Sequence, residues 1–232
     1  MTAVTILSGG AAQGLVRGVT EAFKAQTGFG IDGDFGAVGL MADKLRANTP
    51  ADLVILTQAL LARLAAEQLV VPASITDVGR VETALAVRSR DPKVTVRTEA
   101  DLRDVLRGAD AIFVPDTKAS TAGQHVAKVL DQLGIAYEVA SRLKIYPNGA
   151  TAMRELAAST AQRPIGCTQA TEIIATDGIA LSGSLPPGCE LVTMYTAGVT
   201  ARAAHPNEAA ALIALLTGAD RTELRQRVGF AG

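Results

Sequence analysis

The chain is poor in the residues that stack on rings, cross-link or enter membranes. None of its 232 residues is Trp and aromatics make up only 3%, so aromatic platforms for bases or sugar rings do not dominate recognition. Charge of one sign is missing too. The 22 basic and 23 acidic residues nearly cancel and form no basic stripe, which disfavours a nucleic-acid partner. No apolar run reaches the roughly 18–20 residues that span a bilayer. Cysteine is limited to Cys167 and Cys189, neither of them in a CxxC or Cys/His cluster. Zinc therefore has no support, no metal or cofactor is expected, and two reduced thiols are preferred to a disulfide.

An export signal is also lacking. No basic segment, apolar core and cleavage site precede the first apolar strand, which starts close to Met1. As written, the chain is expected in the cytoplasm. A periplasmic location, with an ABC transporter as partner, follows only if a signal peptide has been removed.

Strands alternate with helices through the rest of the chain. Apolar runs predict strands at 4–7, 30–35, 52–56, 83–88, 111–114, 144–146, 164–168 and 191–197. Helical periodicity covers 11–26, 38–47, 58–68, 100–107, 122–133, 150–159, 171–175, 207–216 and 221–228. Such alternation predicts an α/β fold with mostly parallel sheets and helices on both faces. Thr57 and Asn207 are expected to cap the helices that follow them. Gly108 and Gly134 are expected as C-terminal stops, and Pro-Pro-Gly at 186–188 as a turn. A lobe boundary is placed near 78–83, and the strand 191–197 is read as a return to the first lobe.

In open parallel sheets ligands bind beyond the carboxyl ends of the strands. Four such junctions are built from small residues: Ser8-Gly9-Gly10-Ala11, Phe35-Gly36-Ala37-Val38-Gly39, the stretch from Asp116 through Lys118, Ser120, Thr121 and Ala122 to Gly123, and Asn148-Gly149-Ala150-Thr151. They offer backbone N–H groups, hydroxyls and one cation, which is equipment for holding a small anion. The plainer alternative is that they are tight strand-to-helix turns. No GxGxxG, GxxxxGK[ST] or GxSxG spacing occurs.

Taken together, VTILSGGAAQGLVRGVTEAFKAQTG, DFGAVGLMADKL, PADLVILT, STAGQHVAKVLDQLGI and TMYTAGVT make the chain similar to bacterial solute-binding proteins of the molybdate-binding class. The resemblance implies a two-lobed, hinge-linked, periplasmic-binding-protein-like (class II) fold. Lobe 1 would be residues 1–80 completed by 197–232 and lobe 2 residues 81–196, with a small anionic ligand in the cleft between them. It implies ligand contacts from Ser8, Gly9, Gly10, Gly36, Ala37, Val38, Thr57, Lys118, Ser120, Thr121, Ala122, Asn148, Gly149 and Gln169. Relative to molybdate binders, hydroxyls are lost near Gly10 and Val38-Gly39, and Gln169 stands for a tyrosine. Each lost charge-assisted hydrogen bond is worth about 1.5–3 kcal/mol, so a roomier pocket for an organic anion is expected.

The same superfamily includes an enzyme, aconitate isomerase. That resemblance implies an alternative, a proton-transfer isomerase acting on an unsaturated polycarboxylate, with His125, Lys118 or Glu172 moving the proton. Each has a structural alternative. His125 can bond a carbonyl, Lys118 can be solvated, and Glu172 can complement a helix dipole. Arg80 and Arg154 are expected at the surface, and His205 as structural.

Overall fold

Apolar runs of four to six residues, each leading into an amphipathic helix, fold as parallel strands covered on both faces. The computed structural model describes residues 2–231. In chain order the elements are β1 (Ala3–Gly9), α1 (Gln13–Thr27), β2 (Gly30–Gly36), α2 (Val38–Arg46), β3 (Leu53–Thr57), α3 (Gln58–Ala66), β4 (Thr76–Arg88) and α4 (Glu99–Gly108). There follow β5 (Ala111–Pro115), α5 (Thr121–Gln132), the single turn α6 (Ala136–Val139), β6 (Leu143–Tyr146), α7 (Gly149–Ala158), β7 (Pro164–Gln169) and α8 (Ala170–Ile174). The chain ends with β8 (Ile179–Ser184), β9 (Val192–Val199), α9 (Pro206–Thr217) and α10 (Thr222–Arg227).

The chain divides into two compact units. One takes the sequence up to Val81 and again from Thr193, and the other is Glu82–Val192. In the first unit the strand order is β2-β1-β3-β9. β1 runs parallel to both neighbours, with Ile6 opposite Gly33 and Leu53, and β9 closes antiparallel on β3 with Val199 opposite Leu53. Leu15, Val16, Val19 and Phe23 form the buried stripe of α1. Asp32 and Asp34 stand exposed on the edge strand β2, where charge discourages pairing with another chain.

In the second unit the order is β4-β7-β5-β6, with β8 antiparallel on the other side of β4. β5 is parallel to β6 and β7, and β4 is antiparallel to β7. Leu102, Leu106, Val114, Val126, Leu130 and Ile165 fill its core. Cys167 and Cys189 are buried and free, and burial pushes the Cys167 thiol up to about 12.

All eight expected strands and all nine expected helices are present, and the fold is the α/β class that their alternation predicts. The structure corrects several details. β4 starts at Thr76 instead of 83, and β8 and α6 are additional. Gly134 does stop α5 in the left-handed conformation, at φ 70°, with the Ile135 N–H on the Leu130 carbonyl at 3.1 Å. Gly108, however, is the last residue of its helix, and the chain breaks at Ala109. Thr57 occupies the N-cap position of α3 but its side chain makes no capping bond. Pro206, whose fixed φ suits the first helical position, starts α9 one residue before Asn207, so His205 is the N-cap.

Candidate functional site

The strand-to-helix junctions of the first unit are held by packing, not by polar caps. The Ser8 hydroxyl is fully buried and donates to the Gly9 carbonyl at 2.9 Å. The Gly9 backbone passes beneath two side chains. A Cβ there would lie 2.8 Å from Cγ1 of Val38 and 3.0 Å from Cε1 of Tyr195. Gly10–Ala12 then form one 3-10 turn that feeds α1. A Cβ on Gly36 would lie 2.9 Å from Cε of Met41, the far end of a flexible side chain. Ala37 is the N-cap of α2 and Thr57 that of α3, both extended and both without a side-chain capping bond.

In the second unit the loop after β5 folds on its own carboxylate. Asp116 Oδ1 accepts from the N–H groups of Lys118 at 2.7 Å and Ala119 at 2.8 Å, and these donors hold its carboxyl below the usual carboxylate range. Lys118 is exposed. Ser120 caps α5 by accepting from the Gly123 N–H. Thr121 and Ala122 bring the helix's first N–H groups, which lie outside its internal bonding. A Cβ on Gly123 would fall 2.1 Å from the Asp116 carbonyl oxygen, so the close approach of α5 to this loop requires glycine.

The start of α7 is built differently. Asn148 Oδ1 accepts from Thr151 N at 2.8 Å. The Gly149 and Ala150 N–H groups point to the carboxyl of Glu172, the third residue of α8. Gln169, the N-cap of α8, is buried and adds its own N–H to that carboxyl. Glu172 is 7% exposed and accepts the Thr168 hydroxyl at 2.6 Å. Burial pushes its pKa up, against the opposing pull of the Thr168 hydroxyl and the three N–H groups.

Of the other candidate residues, His125 is half-buried on α5 with Nε2 2.8 Å from the Cys189 carbonyl oxygen. A carbonyl only accepts, so Nε2 carries the proton in that bond. The His205 ring meets Phe29 edge-on at 5.1 Å. A cavity of about 330 Å³ lies in the second unit among Val87, Val94, Val105, Ala109 and Ile165. It sits by the amino ends of β5 and β7, away from the junction loops. Among the described residues no group of three or more His, Cys, Asp or Glu is placed to hold a metal, and no helix is long and apolar enough to cross a membrane.

One electrostatic regularity runs through both units. Of the six helices that follow parallel strands, those after β1, β2, β3, β5 and β6 have no acidic residue in their first turn, and α8, after β7, has Glu172. Those that start elsewhere, α4, α9 and α10, have one or two. First-turn acids are normally favoured because they complement the helix dipole. Their omission from these five helices leaves positive helix ends at the carboxyl ends of the strands they follow. Only α7 among the five gains a carboxylate, from Glu172. The omission is visible in the sequence once the helix starts are set. The position of Tyr195 over Gly9 is not, because it depends on the pairing of β9 with β3.

Residues 4–231 match the family of bacterial extracellular solute-binding proteins. An aconitate isomerase from a Pseudomonas species is 28% identical over 241 residues, covering 99% of this chain and 88% of that protein. The periplasmic molybdate-binding protein of Azotobacter vinelandii superposes with a TM-score of 0.81 at 17% identity over 99% of both chains. The sulfate-binding protein SubI of Mycobacterium tuberculosis H37Rv does so at 0.76 and 21% identity, over 99% of this chain and 86% of that one. At these identities the two structures establish the fold, that of the periplasmic binding proteins. The family match extends over almost the whole sequence, and the chain belongs to the bacterial extracellular solute-binding proteins.

Proposed function

We propose that the chain is a receptor for a small organic polyanion, a di- or tricarboxylate, held by helix N-termini at the carboxyl ends of its parallel strands. The observation that carries this reading is the omission of acidic residues from the first turns of α1, α2, α3 and α5. Backbone N–H groups at such ends bind anions without a partner cation. The molybdate- and sulfate-binding neighbours support an anion as the ligand class. An organic carboxylate is favoured over a tetrahedral oxyanion because the Ser8 hydroxyl is spent on the Gly9 carbonyl and glycine and alanine line the neighbouring positions. In this reading the receptor works outside the cytoplasmic membrane and passes its ligand to an ABC transporter.

Thermal denaturation with citrate, cis- and trans-aconitate, succinate, molybdate and sulfate tests the proposal, since a ligand of the native state must raise the midpoint. Citrate or an aconitate is expected to give the largest rise. No rise with any of the six, or a rise with molybdate alone, rejects it.

The second reading is an isomerase that shifts a double bond in such an acid. It is favoured by the 28% identity to aconitate isomerase along nearly the whole chain. Against it stand the engagement of His125 with a carbonyl and the burial of Glu172. Proton NMR of cis-aconitate with and without the protein separates the two readings: conversion above the uncatalysed rate establishes the enzyme.

A further inference from the structure

The carboxyl of Glu172 belongs to two helix starts at once. It lies at the third position of α8 and takes back the N–H of the N-cap Gln169, as the acid of a capping box does. It also receives the N–H groups of Gly149 and Ala150 at the start of α7 and the Thr168 hydroxyl. Asn148 takes the Thr151 N–H. The first turn of α7 is thereby saturated from within the protein. The fit is tight, because a Cβ on Gly149 would lie 1.9 Å from Oε2 of Glu172.

We infer that Glu172 is a positioning residue, a resident carboxylate that fills the anion site at the start of α7 and leaves α5 as the helix of this unit that meets the ligand's charge. The assignment of α5 rests on the receptor reading above. The pairing of Glu172 with α7 does not. It follows that Asn148 and Gly149 shape the binding surface without contributing N–H groups to the ligand.

The test uses the full chain carrying E172A, E172Q or E172D, with sodium formate as the probe and sodium chloride at equal ionic strength as its control. Formate is expected to raise the E172A midpoint well above the chloride control and to leave wild type at that control. Calorimetry is expected to find one formate bound to E172A that wild type does not bind. E172D keeps the carboxyl group, one methylene short, and is expected to recover much of the midpoint that E172Q, with an amide N–H₂ among donors, does not. A formate effect no larger in E172A than in wild type overturns the proposal. Should E172A fail to fold, equal midpoints for E172D and E172Q overturn it as well. Formate rescue in a protein that no polycarboxylate stabilises would reject the receptor reading alone. Polycarboxylate binding without formate rescue would reject the role of Glu172 alone.

Discussion

Gly149 and Glu172 are in such close contact that a methyl group on the first would lie 1.9 Å from a carboxylate oxygen of the second. The same methyl group would lie 2.2 Å from the Thr168 hydroxyl oxygen, so G149A must push both the carboxylate and this hydroxyl aside or move the start of α7. Overpacking of this kind costs roughly 1–3 kcal/mol. Removing the carboxylate as well should make the methyl group cheaper, with a coupling in the range of about 0.5–3 kcal/mol for residues in contact. Urea denaturation of wild type, G149A, E172A and the double variant measures it. Additive losses would mean that the two residues do not share this space.

Gln58 is exposed at the first position of α3, a helix with no acid in its first turn. Q58E changes charge at nearly constant shape. It should stabilise the protein by about 0.3–1 kcal/mol through the helix dipole and weaken binding of a polycarboxylate several-fold. Opposite signs for stability and affinity are the signature of a helix end kept positive for a ligand. The same change at exposed Gln226, within α10, controls for net charge and should leave affinity unchanged. If both variants bind alike, α3 does not face the ligand.

Gly9 lies under Val38 and Tyr195, and Tyr195 is itself set edge-on against Phe230 with ring centroids 6.3 Å apart. The ring has little freedom to retreat, so the methyl of G9A should displace the loop between β1 and α1. Affinity for the polycarboxylate is expected to fall about tenfold, or roughly 1.4 kcal/mol. G108A is the control: it sits in a helix with nothing within 4 Å of the new methyl, and should gain about 0.5–1 kcal/mol. Unchanged affinity in G9A would remove this loop from the binding surface.

The strands and helices were legible because each carries a period or an apolar run that needs no partner to be seen. β8 was not, since Ile179–Ser184 is short, half-exposed and interrupted by Gly183, with φ 157°. The extension of β4 back to Thr76 covers polar Thr76, Asp77 and Arg80, which only strand pairing makes extended. In the candidate site, the glycines announced tight junctions but not their reasons. Gly9 answers to Tyr195, far along the chain, Gly123 to a carbonyl and Gly149 to a carboxylate. Glu172 read naturally as a helix-start acid. That it serves two helix starts depends on β6 and β7 both flanking β5, a relationship that spacing does not encode.

Asp52 supplies the clearest pH dependence. It is 2% exposed and its carboxylate ties three segments of the first unit together. It accepts from the N–H and hydroxyl of Thr5 at 2.8 and 3.0 Å and from the His205 N–H at 2.8 Å. Burial alone would raise its pKa, but these donors and the Ala204 N–H outweigh it and hold the value below the ordinary one. A carboxyl depressed in the folded state stabilises the fold above its unfolded pKa, near 3.9 for Asp. That contribution disappears as pH falls through the folded value. Wild type should therefore lose unfolding free energy below about pH 4. D52N should be less stable at neutral pH by roughly 1–3 kcal/mol, because its amide N–H₂ faces donors. The gap between the two proteins should narrow on acidification. Urea titrations at a series of pH values give both curves. Curves that stay parallel from neutral pH into the acid range would show that Asp52 is not the group that titrates.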